Sequence, residues 1–253
     1  MQRSPAPRPD VFKSAAEGIV VALAKARDVA ELDNIFISRI EPLGYQNAGY
    51  LRVFGEGRFH TAVFLFGSTA PGWAERYQQK RYSIDDPVVV ATCRSTGAFT
   101  LNEVAAPSRA GAPILADSRM HGLFDGLCAP IRTGYDEVGF VLLGADHLLE
   151  PSDYERFLLQ CMCEAYARAG LALLPIPADP PPLTRREIEC LRWVAVGRSD
   201  PQIGMILGLS PNTIHAHVES AKTKLDANSR AQLVLRAVMA GILRSDPTRS
   251  LSV

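Results

Sequence analysis

The sequence has no apolar run long enough to cross a membrane and no surplus of charge of either sign. A spanning helix needs about 20 apolar residues, whereas the longest apolar run near the start of the chain is GIVVALA, residues 18–24. The opening residues, MQRSPAPRPD, are polar and proline-rich and lack the apolar segment of a signal peptide. We therefore expect a cytoplasmic protein with no membrane partner.

The sequence also lacks the motifs of common metal and redox sites. Its five cysteines form no CxxC pair, and no histidine lies at metal-ligand spacing from them. His60, His121 and His147 are scattered, and no nucleophile lies beside a base. This pattern predicts no metal site, no cofactor, no disulfide framework and no enzyme active site.

A composition of 47% hydrophobic and 21% charged residues is typical of a globular protein with a real core. The net charge of zero hides an asymmetry about the proline-rich segment PIPADPPP, residues 175–182. After Pro182 there are 10 Lys and Arg against 6 Asp and Glu, a net charge of +4; the chain up to and including Pro182 has the remaining 17 against 21, a net charge of −4. We therefore expect a linker at 175–182, followed by a small basic module that meets a polyanion.

The part before this linker alternates between helical and strand-like patterns. Residues 11–42 have apolar residues at three- and four-residue spacing, which predicts helix with a break near Asp28. Pro87 is predicted to start a helix, and the capping box of Ser152 and Glu155 opens a long one. The predicted strands are 45–55, 59–67, 125–134 and 138–146, the other helices are 73–82 and 152–174, and 101–121 receives no assignment. This order predicts an α+β fold over residues 1–174, an α/β/α sandwich around an antiparallel sheet.

Residues 183–253 are predicted to form an all-α domain of four helices. The first is opened by the capping box of Thr184 and Glu187 and ends at Gly197. The next three are expected from Asp200, as cap, to Leu207, from Pro211 to about Leu225, and from about Ser229 to Leu243. The third helix has one apolar face, opposite Asn212, His215, Glu219 and Lys222. Two helices joined by a short glycine-containing turn, the second amphipathic, are typical of a helix-turn-helix.

This C-terminal sequence resembles the DNA-binding domain of the LuxR family. The shared elements are LTRRE at the start, the stop at Gly197, the Ser210-x-x-Thr213-Ile214-x-x-His217 pattern, Lys224-Leu225 and NSRAQ before the last helix. The resemblance implies phosphate contacts by Thr213, Lys222, Lys224 and Arg230 and base contacts by His215 and Glu219. Asn212 and His217 complete the predicted DNA-binding set, although His217 is predicted equally well as a packed histidine.

In the N-terminal part, local chemistry alone predicts only a capped helix at Asp86-Pro87 and two core aromatics, Trp73 and Tyr77. The pattern Trp73-x3-Tyr77-x8-Asp86-Pro87, followed by Gly126, resembles the acyl-homoserine-lactone-binding domain of quorum-sensing LuxR members over roughly residues 15–172. The resemblance implies that the Trp73 indole donates to the lactone carbonyl. It also implies that Asp86 accepts the ligand amide N–H and that Tyr77 reaches the acyl carbonyl.

The chain departs from this family pattern at two places. Leu101 stands where the family usually has a tryptophan that packs over the lactone ring. A hydroxyl that some members place near the acyl group is replaced by apolar residues in VGFVLLG, residues 138–144. Leu101 is therefore included among the predicted ligand-binding residues. The two departures predict that the ligand of the protein is a bulkier lactone or another small molecule.

The sequence thus predicts a ligand-responsive transcription regulator. Its expected partners are a small-molecule signal, an inverted-repeat site in double-stranded DNA and a second copy of the chain, with RNA polymerase as a further candidate. Three alternatives stay open: a regulator of the same fold that answers a non-lactone signal or none, a phosphorylation-driven response regulator, and an enzyme fused to a helix-turn-helix. The absence of alternating strands and helices disfavours the second, and the absence of a catalytic constellation disfavours the third.

Overall fold

The computed structural model of the protein describes residues 9–56, 59–80, 82, 86–105, 109–133, 138–174 and 182–243. Asp85, the residue before Asp86, lies outside the described residues. So does the predicted linker, except for Pro182.

The N-terminal helical region is divided into three helices: α1 (Pro9–Ala16), α2 (Ile19–Leu23) and α3 (Val29–Ile40), followed by a 3-10 turn at Glu41–Leu43. Gly18 separates the first two with a φ of 69°, which favours glycine. Asp28 begins α3, and its carboxylate accepts from the Glu31 N–H at 2.8 Å. The break predicted near Asp28 is therefore a capped helix start.

Five strands form one antiparallel sheet in the order β2-β1-β5-β4-β3. The strands are β1 (Asn47–Glu56), β2 (Phe59–Gly67), β3 (Phe99–Thr100), β4 (Asp125–Arg132) and β5 (Val138–Ala145). The register changes between Tyr50, opposite Phe66, and Leu51, opposite Phe64, so Leu65 is an extra residue that bulges β2. The predicted antiparallel sheet is confirmed, with β3 as a short additional strand.

Helices cover both faces of the sheet, which confirms the predicted α/β/α sandwich. Helices α1 to α3 and the long α8 (Asp153–Leu173) pack on one face, over residues such as Leu127 and Val141. The other face, which includes Cys128 and Phe140, packs against α4 (Trp73–Gln79), α5 (Pro87–Arg94), α6 (Leu101–Ala105) and α7 (Gly111–Met120). Adjacent residues belong to different cores because side chains alternate along a strand.

The segment left unassigned at 101–121 contains two helices, α6 and α7, separated by residues of which 106–108 are not described. Its alanines, prolines and glycine obscured the pattern, but Ile114, Leu115 and Ser118 are buried at helical spacing. The helix predicted over 73–82 is shorter, since α4 ends at Gln79.

The C-terminal part contains four helices: α9 (Arg185–Ala195), α10 (Asp200–Leu207), α11 (Pro211–Lys224) and α12 (Arg230–Met239). One correction concerns the cap of α10, predicted to be Asp200. Ser199 is the N-cap, and the Gln202 side chain accepts from its N–H at 3.0 Å, while Asp200 is the first helical residue. Asp200 is therefore free to pair with other helices.

The C-terminal helices pack against the β1–β2 end of the sheet. Phe54 of β1 is only 3% exposed and belongs to the same apolar cluster as α9, α11 and α12. Val63 and Leu65 of β2 pack against this cluster as well. The contacts with the sheet come from α9 and α12.

Candidate functional site

A cavity of about 200 Å³ lies between the sheet and helices α4, α5 and α7. Its floor is formed by alternate residues of three adjacent strands: Asn47, Gly49 and Leu51; Ala62 and Phe64; Phe140, Leu142 and Gly144. Most of its lining is apolar, as expected for a pocket that encloses a small organic molecule.

Asp86 is the only charged side chain among the described residues that line this cavity. One carboxylate oxygen accepts from the Tyr77 hydroxyl at 2.6 Å, and the other accepts from the Val88 N–H at 2.8 Å. Burial raises the pKa of the Asp86 carboxyl, although both hydrogen bonds act in the opposite direction. A carboxylate has about four acceptor positions, so two remain for another donor.

Trp73 and Tyr77 lie one turn apart on α4, and both line the cavity. Their rings meet edge to face at 5.7 Å, and the Trp73 ring is also 5.8 Å from the ring of His121, which follows α7. Trp73 is 7% exposed. The structure therefore brings the predicted Trp73, Tyr77 and Asp86 together in one wall.

An ion pair attaches α4 to α7 outside the cavity. Arg76 donates two hydrogen bonds to Asp117, at 2.7 and 3.1 Å, and the Tyr82 hydroxyl donates to the same carboxylate at 2.7 Å. These partners lower the pKa of Asp117 to about 2. Since Arg76 lies between Trp73 and Tyr77 in the sequence, this pair fixes the helix that carries both aromatics.

The remaining predicted ligand residues occupy different positions. Leu101 lines the cavity, whereas Pro87 and Gly126 are not among its lining residues. Pro87 forms the first turn of α5. Gly126 lies behind Leu101: a Cβ at Gly126 would be 2.7 Å from the Leu143 carbonyl and 3.1 Å from the Leu101 side chain. The glycine lets Leu101 pack directly against β4.

Sequence reasoning missed the wall contributed by α7 and the strands. Ile114, Leu115 and Ser118 of α7, with Leu123 after it, line the cavity. The three-residue spacing of Leu115 and Ser118 could have indicated a helix here, but the segment received no assignment. Alternate residues of β1 and β5 could have been proposed as cavity-lining residues only if it had been known which face of the sheet the cavity lies on.

In the C-terminal part, α11 presents a polar surface. Ser210 caps it through the Thr213 N–H at 3.1 Å. Of the predicted DNA-binding residues, Asn212, Thr213, His215 and Glu219 are exposed on this helix, and His217 is half-buried. Among the C-terminal helices, α9 and α12 contact the sheet most extensively, and these residues of α11 face solvent.

Lys222 and Glu219 are paired with each other in the free protein. The ammonium group of Lys222 lies 3.0 Å from both carboxylate oxygens of Glu219. The Glu219 side chain is 47% exposed and that of Lys222 is 18% exposed. A predicted phosphate contact and a predicted base contact are therefore coupled.

Lys224 points inward, to the buried Glu187 of α9, at 3.0 and 2.9 Å. The Ser220 hydroxyl donates to the same carboxylate at 2.6 Å. Burial alone would raise the pKa of Glu187, but the hydrogen bonds from Lys224, Ser220 and Thr184 lower it to about 2. This cluster holds the end of α11 against α9.

Asp200 connects three helices of the C-terminal part. Its carboxylate accepts from Arg230 of α12 at 2.6 Å and lies 3.2 Å from Nδ1 of His215 on α11. Arg230 also donates to the Arg198 carbonyl at 2.7 Å. Arg230 and His215 therefore make contacts within the domain in addition to their predicted roles at DNA.

Comparison with known proteins finds a matching family model for each of the two parts of the chain. The family model for an autoinducer binding domain matches residues 28–169, and the model for bacterial regulatory proteins of the luxR family matches residues 181–237. The chain belongs to the LuxR family.

Two curated LuxR-family activators are similar over most of the chain. SolR from Ralstonia nicotianae is 28% identical over 228 residues, which cover 88% of this chain and 96% of SolR. LuxR from Aliivibrio fischeri is 28% identical over 184 residues, which cover 68% of this chain and 71% of LuxR.

Solved structures with the same fold include SdiA. Escherichia coli SdiA has a TM-score of 0.55 at 22% identity, over 91% of this chain and 98% of that one. SdiA in complex with octanoyl-rac-glycerol has a TM-score of 0.54 at 20% identity, over 96% of this chain and 99% of that one.

This membership confirms the predicted family: the chain is a quorum-sensing transcriptional regulator of the LuxR family, with an autoinducer-binding domain and a helix-turn-helix, and it is not an enzyme. Its autoinducer-binding domain takes a small-molecule ligand. Among the described residues, no helix is long and apolar enough to span a membrane, and no group of three or more potential ligands could hold a metal ion.

Proposed function

We propose that this LuxR-family regulator is a cytoplasmic receptor for an N-acyl-homoserine lactone and binds an inverted-repeat DNA site as a homodimer. One observation carries the lactone assignment: a single buried carboxylate, Asp86, lies in the wall of an otherwise apolar cavity. Such a ligand has one amide N–H that must keep a hydrogen-bond partner when it leaves water, and Asp86 has free acceptor positions. The apolar lining suits the acyl chain.

The positions of Tyr77, Trp73 and Asp86 in the wall support this proposal. Tyr77 already donates to Asp86 and keeps this carboxylate aimed into the cavity. Trp73 carries a ring N–H on the same helix wall, for a carbonyl of the ligand. An N–H of the ligand stabilises the ionised form of Asp86, so affinity falls as the pH drops through the raised pKa of this carboxyl.

A second candidate is a non-lactone acyl ligand, favoured by Leu101. This residue lines the cavity where the family resemblance expects an aromatic ring over the lactone. A leucine contacts a flat lactone ring over a smaller area than an indole does, which reduces discrimination against other head groups. SdiA in complex with octanoyl-rac-glycerol supplies a concrete example, a monoacylglycerol.

The exposed side of α8 supports the homodimer. Tyr154 and Phe157 are 51% and 64% exposed, and Cys161 on the same helix is exposed as well. Their spacing of three and four residues places them on one face, opposite the buried Leu159 and Met162. Exposed aromatic side chains on one long helix suit an isologous contact with a second copy.

The DNA-binding assignment is supported by the exposed polar surface of α11, with Thr213 at its capped start. A homodimer would present two such helices to the two half-sites of an inverted repeat. The domain limits 1–174 and 183–253, and a contact with RNA polymerase, stay predictions.

The proposal is tested by variants that separate the two roles of Asp86. Asp86→Asn keeps an N-cap for α5 but loses the charge, whereas Asp86→Ala loses both. We expect Asp86→Asn to fold like the wild type and to bind lactones about 10- to 100-fold more weakly. Protein expressed with a panel of N-acyl-homoserine lactones is extracted with solvent, the bound lactone is identified by mass spectrometry, and affinity is measured by calorimetry. Unchanged lactone affinity in both variants would reduce Asp86 to a helix cap, and a wild type that retains a non-lactone acyl compound would favour the second candidate.

A further inference from the structure

The ligand cavity shares one wall with a second cleft. This cleft, of about 1050 Å³, lies between β2 and α4 on one side and helices α9, α10 and α12 on the other. Five residues line both spaces: Ala62, Phe64, Thr69, Ala74 and Gln78. Their side chains separate the ligand cavity from the cleft beside the DNA-binding helices.

Phe64 is the one large apolar side chain among these five. It is 40% exposed although it lies in a strand. Its ring covers Gly49 of the neighbouring strand, where an added Cβ would be only 2.6 Å from the Phe64 Cε2 atom. The ring therefore takes the space that a side chain at position 49 would need, and it closes the cavity at the edge of the sheet.

We propose that the Phe64 ring sets the greatest length of acyl chain that the cavity accepts. The inference rests on the proposed function, because it assumes a ligand held at Asp86 with an apolar chain along the floor of the sheet. A chain that extends towards β2 ends at this ring. A longer chain must displace the ring towards the cleft or leave methylene groups in water, at a loss of roughly fourfold in affinity for each methylene left unburied.

Two features make Phe64 more suitable for this role than its neighbours. Ala62 and Ala74 are too small to block an alkyl chain, and β2 is an edge strand of the sheet, with a partner on one side only. The Phe64 side chain can therefore be replaced without emptying a closed core. A smaller residue would join the cavity to the cleft.

The experiment measures chain-length preference in the full-length protein. Binding of N-acyl-homoserine lactones from butanoyl to tetradecanoyl is measured by calorimetry for the wild type, Phe64→Ala, Phe64→Leu and Phe64→Trp. We expect the chain length of tightest binding to increase in the order Trp, Phe, Leu, Ala, with at least a tenfold gain for the longest chains in Phe64→Ala relative to butanoyl. The control Val20→Ala, which shortens a side chain that is 65% exposed on α2 and lies away from the cavity, should leave the preference unchanged.

Each outcome decides one of the two proposals. An unchanged preference in Phe64→Ala and Phe64→Leu would overturn the role of Phe64, and the leucine variant gives the answer if the alanine variant does not fold. A parallel series of monoacylglycerols distinguishes failure of the Phe64 proposal from failure of the lactone assignment. If the wild type binds only monoacylglycerols, the lactone proposal is wrong. The Phe64 proposal is then tested by whether the preferred chain length of the monoacylglycerols increases in the order Trp, Phe, Leu, Ala at position 64. If no variant binds either series, both proposals are wrong.

Discussion

Two buried carboxylates, Asp86 and Glu187, differ in their partners and therefore in their pKa. The donors to Asp86 are a phenol and a backbone N–H, so burial dominates and raises its pKa. Glu187 is paired with the ammonium group of Lys224, and its pKa falls to about 2. A carboxylate without a cation can accept a donor from a ligand, whereas a paired one holds the fold together.

The first residue-scale prediction is that Glu187→Gln destabilises the C-terminal domain by about 1–3 kcal/mol near neutral pH, since charged hydrogen bonds are lost. The pKa of Glu187 is lower in the folded state than its usual 4.5. Its stabilisation is therefore complete above pH 4.5 and is lost as the pH falls through about 2. The difference in the free energy of unfolding between variant and wild type should therefore shrink as the pH falls over this range. Urea titrations measure it, followed by Trp193 fluorescence in a Trp73→Phe background.

Glu189→Gln is the matched control for this experiment. Glu189 lies on the same helix and pairs with Arg185 and Arg186, whose side chains are 93% and 55% exposed. Exposed pairs of this kind contribute little, so we expect no measurable change in stability. Equal losses in both variants would contradict the special role of Glu187.

At the scale of elements, α4 and α11 each combine a functional face with a packing face. The α4 helix presents Trp73 and Tyr77 to the cavity, and Arg76 binds Asp117 of α7. The α11 helix exposes Thr213 and Glu219 and buries Ile214. In both helices, side chains one residue away from the functional ones set the position of the helix.

The coupling of Lys222 to Glu219 on α11 leads to a prediction for DNA binding. Lys222→Ala should weaken binding to all sequences alike and reduce the salt dependence by about one counterion, because a phosphate contact is lost. Glu219→Ala should strengthen non-specific binding, because Lys222 is released from its partner, and relax the preference at one base position.

Fluorescence anisotropy with a set of single-base variants of the target site, at several salt concentrations, checks both results. Weaker binding of Glu219→Ala to every sequence by the same factor would contradict a role of this residue in base recognition. Thr213→Ala serves for comparison: it should also weaken binding to all sequences alike, but it should leave the salt dependence unchanged because threonine carries no charge.

At the scale of the whole molecule, the C-terminal helices pack on the sheet through Phe54, Val63 and Leu65. The strand that carries Val63 and Leu65 also carries Phe64, which faces the cavity. Strand β2 therefore contacts both the ligand cavity and the C-terminal helices. Ligand binding to the folded state also raises the population of that state, which would favour the proposed dimer on its proposed half-sites.

The proposed dimer predicts that Phe157→Glu weakens self-association. A charge at an exposed position costs little in the monomer, but burial of that charge between two copies is unfavourable. We expect the dimer dissociation constant to rise at least about tenfold, as is typical of a hot-spot residue. Sedimentation equilibrium measures this change. Met120→Glu on α7, at a position 84% exposed, is the control, and equal effects of the two variants would argue against α8 as the interface.

The sequence alone determined the features that depend on neighbours a few residues apart. Thr184 and Ser152 cap their helices through glutamates three residues later, as predicted. The polar surface of α11 follows from helical periodicity, and the strand pairs follow from aromatic and β-branched residues with turn residues between them. The two family resemblances rest on the same short-range patterns, so they too could be found without a structure.

Only the tertiary structure decided which distant residues meet. Asp86 and Tyr77 are close in sequence, but the cavity also needs α7 and alternate residues of three strands. Lys224 was predicted at phosphate, yet it reaches Glu187, 37 residues away. A local pattern tells which face of a helix or strand is apolar, whereas packing of that face against a particular partner depends on how the whole chain closes its core, and this sets the cavity, its buried charge and the wall formed by Phe64.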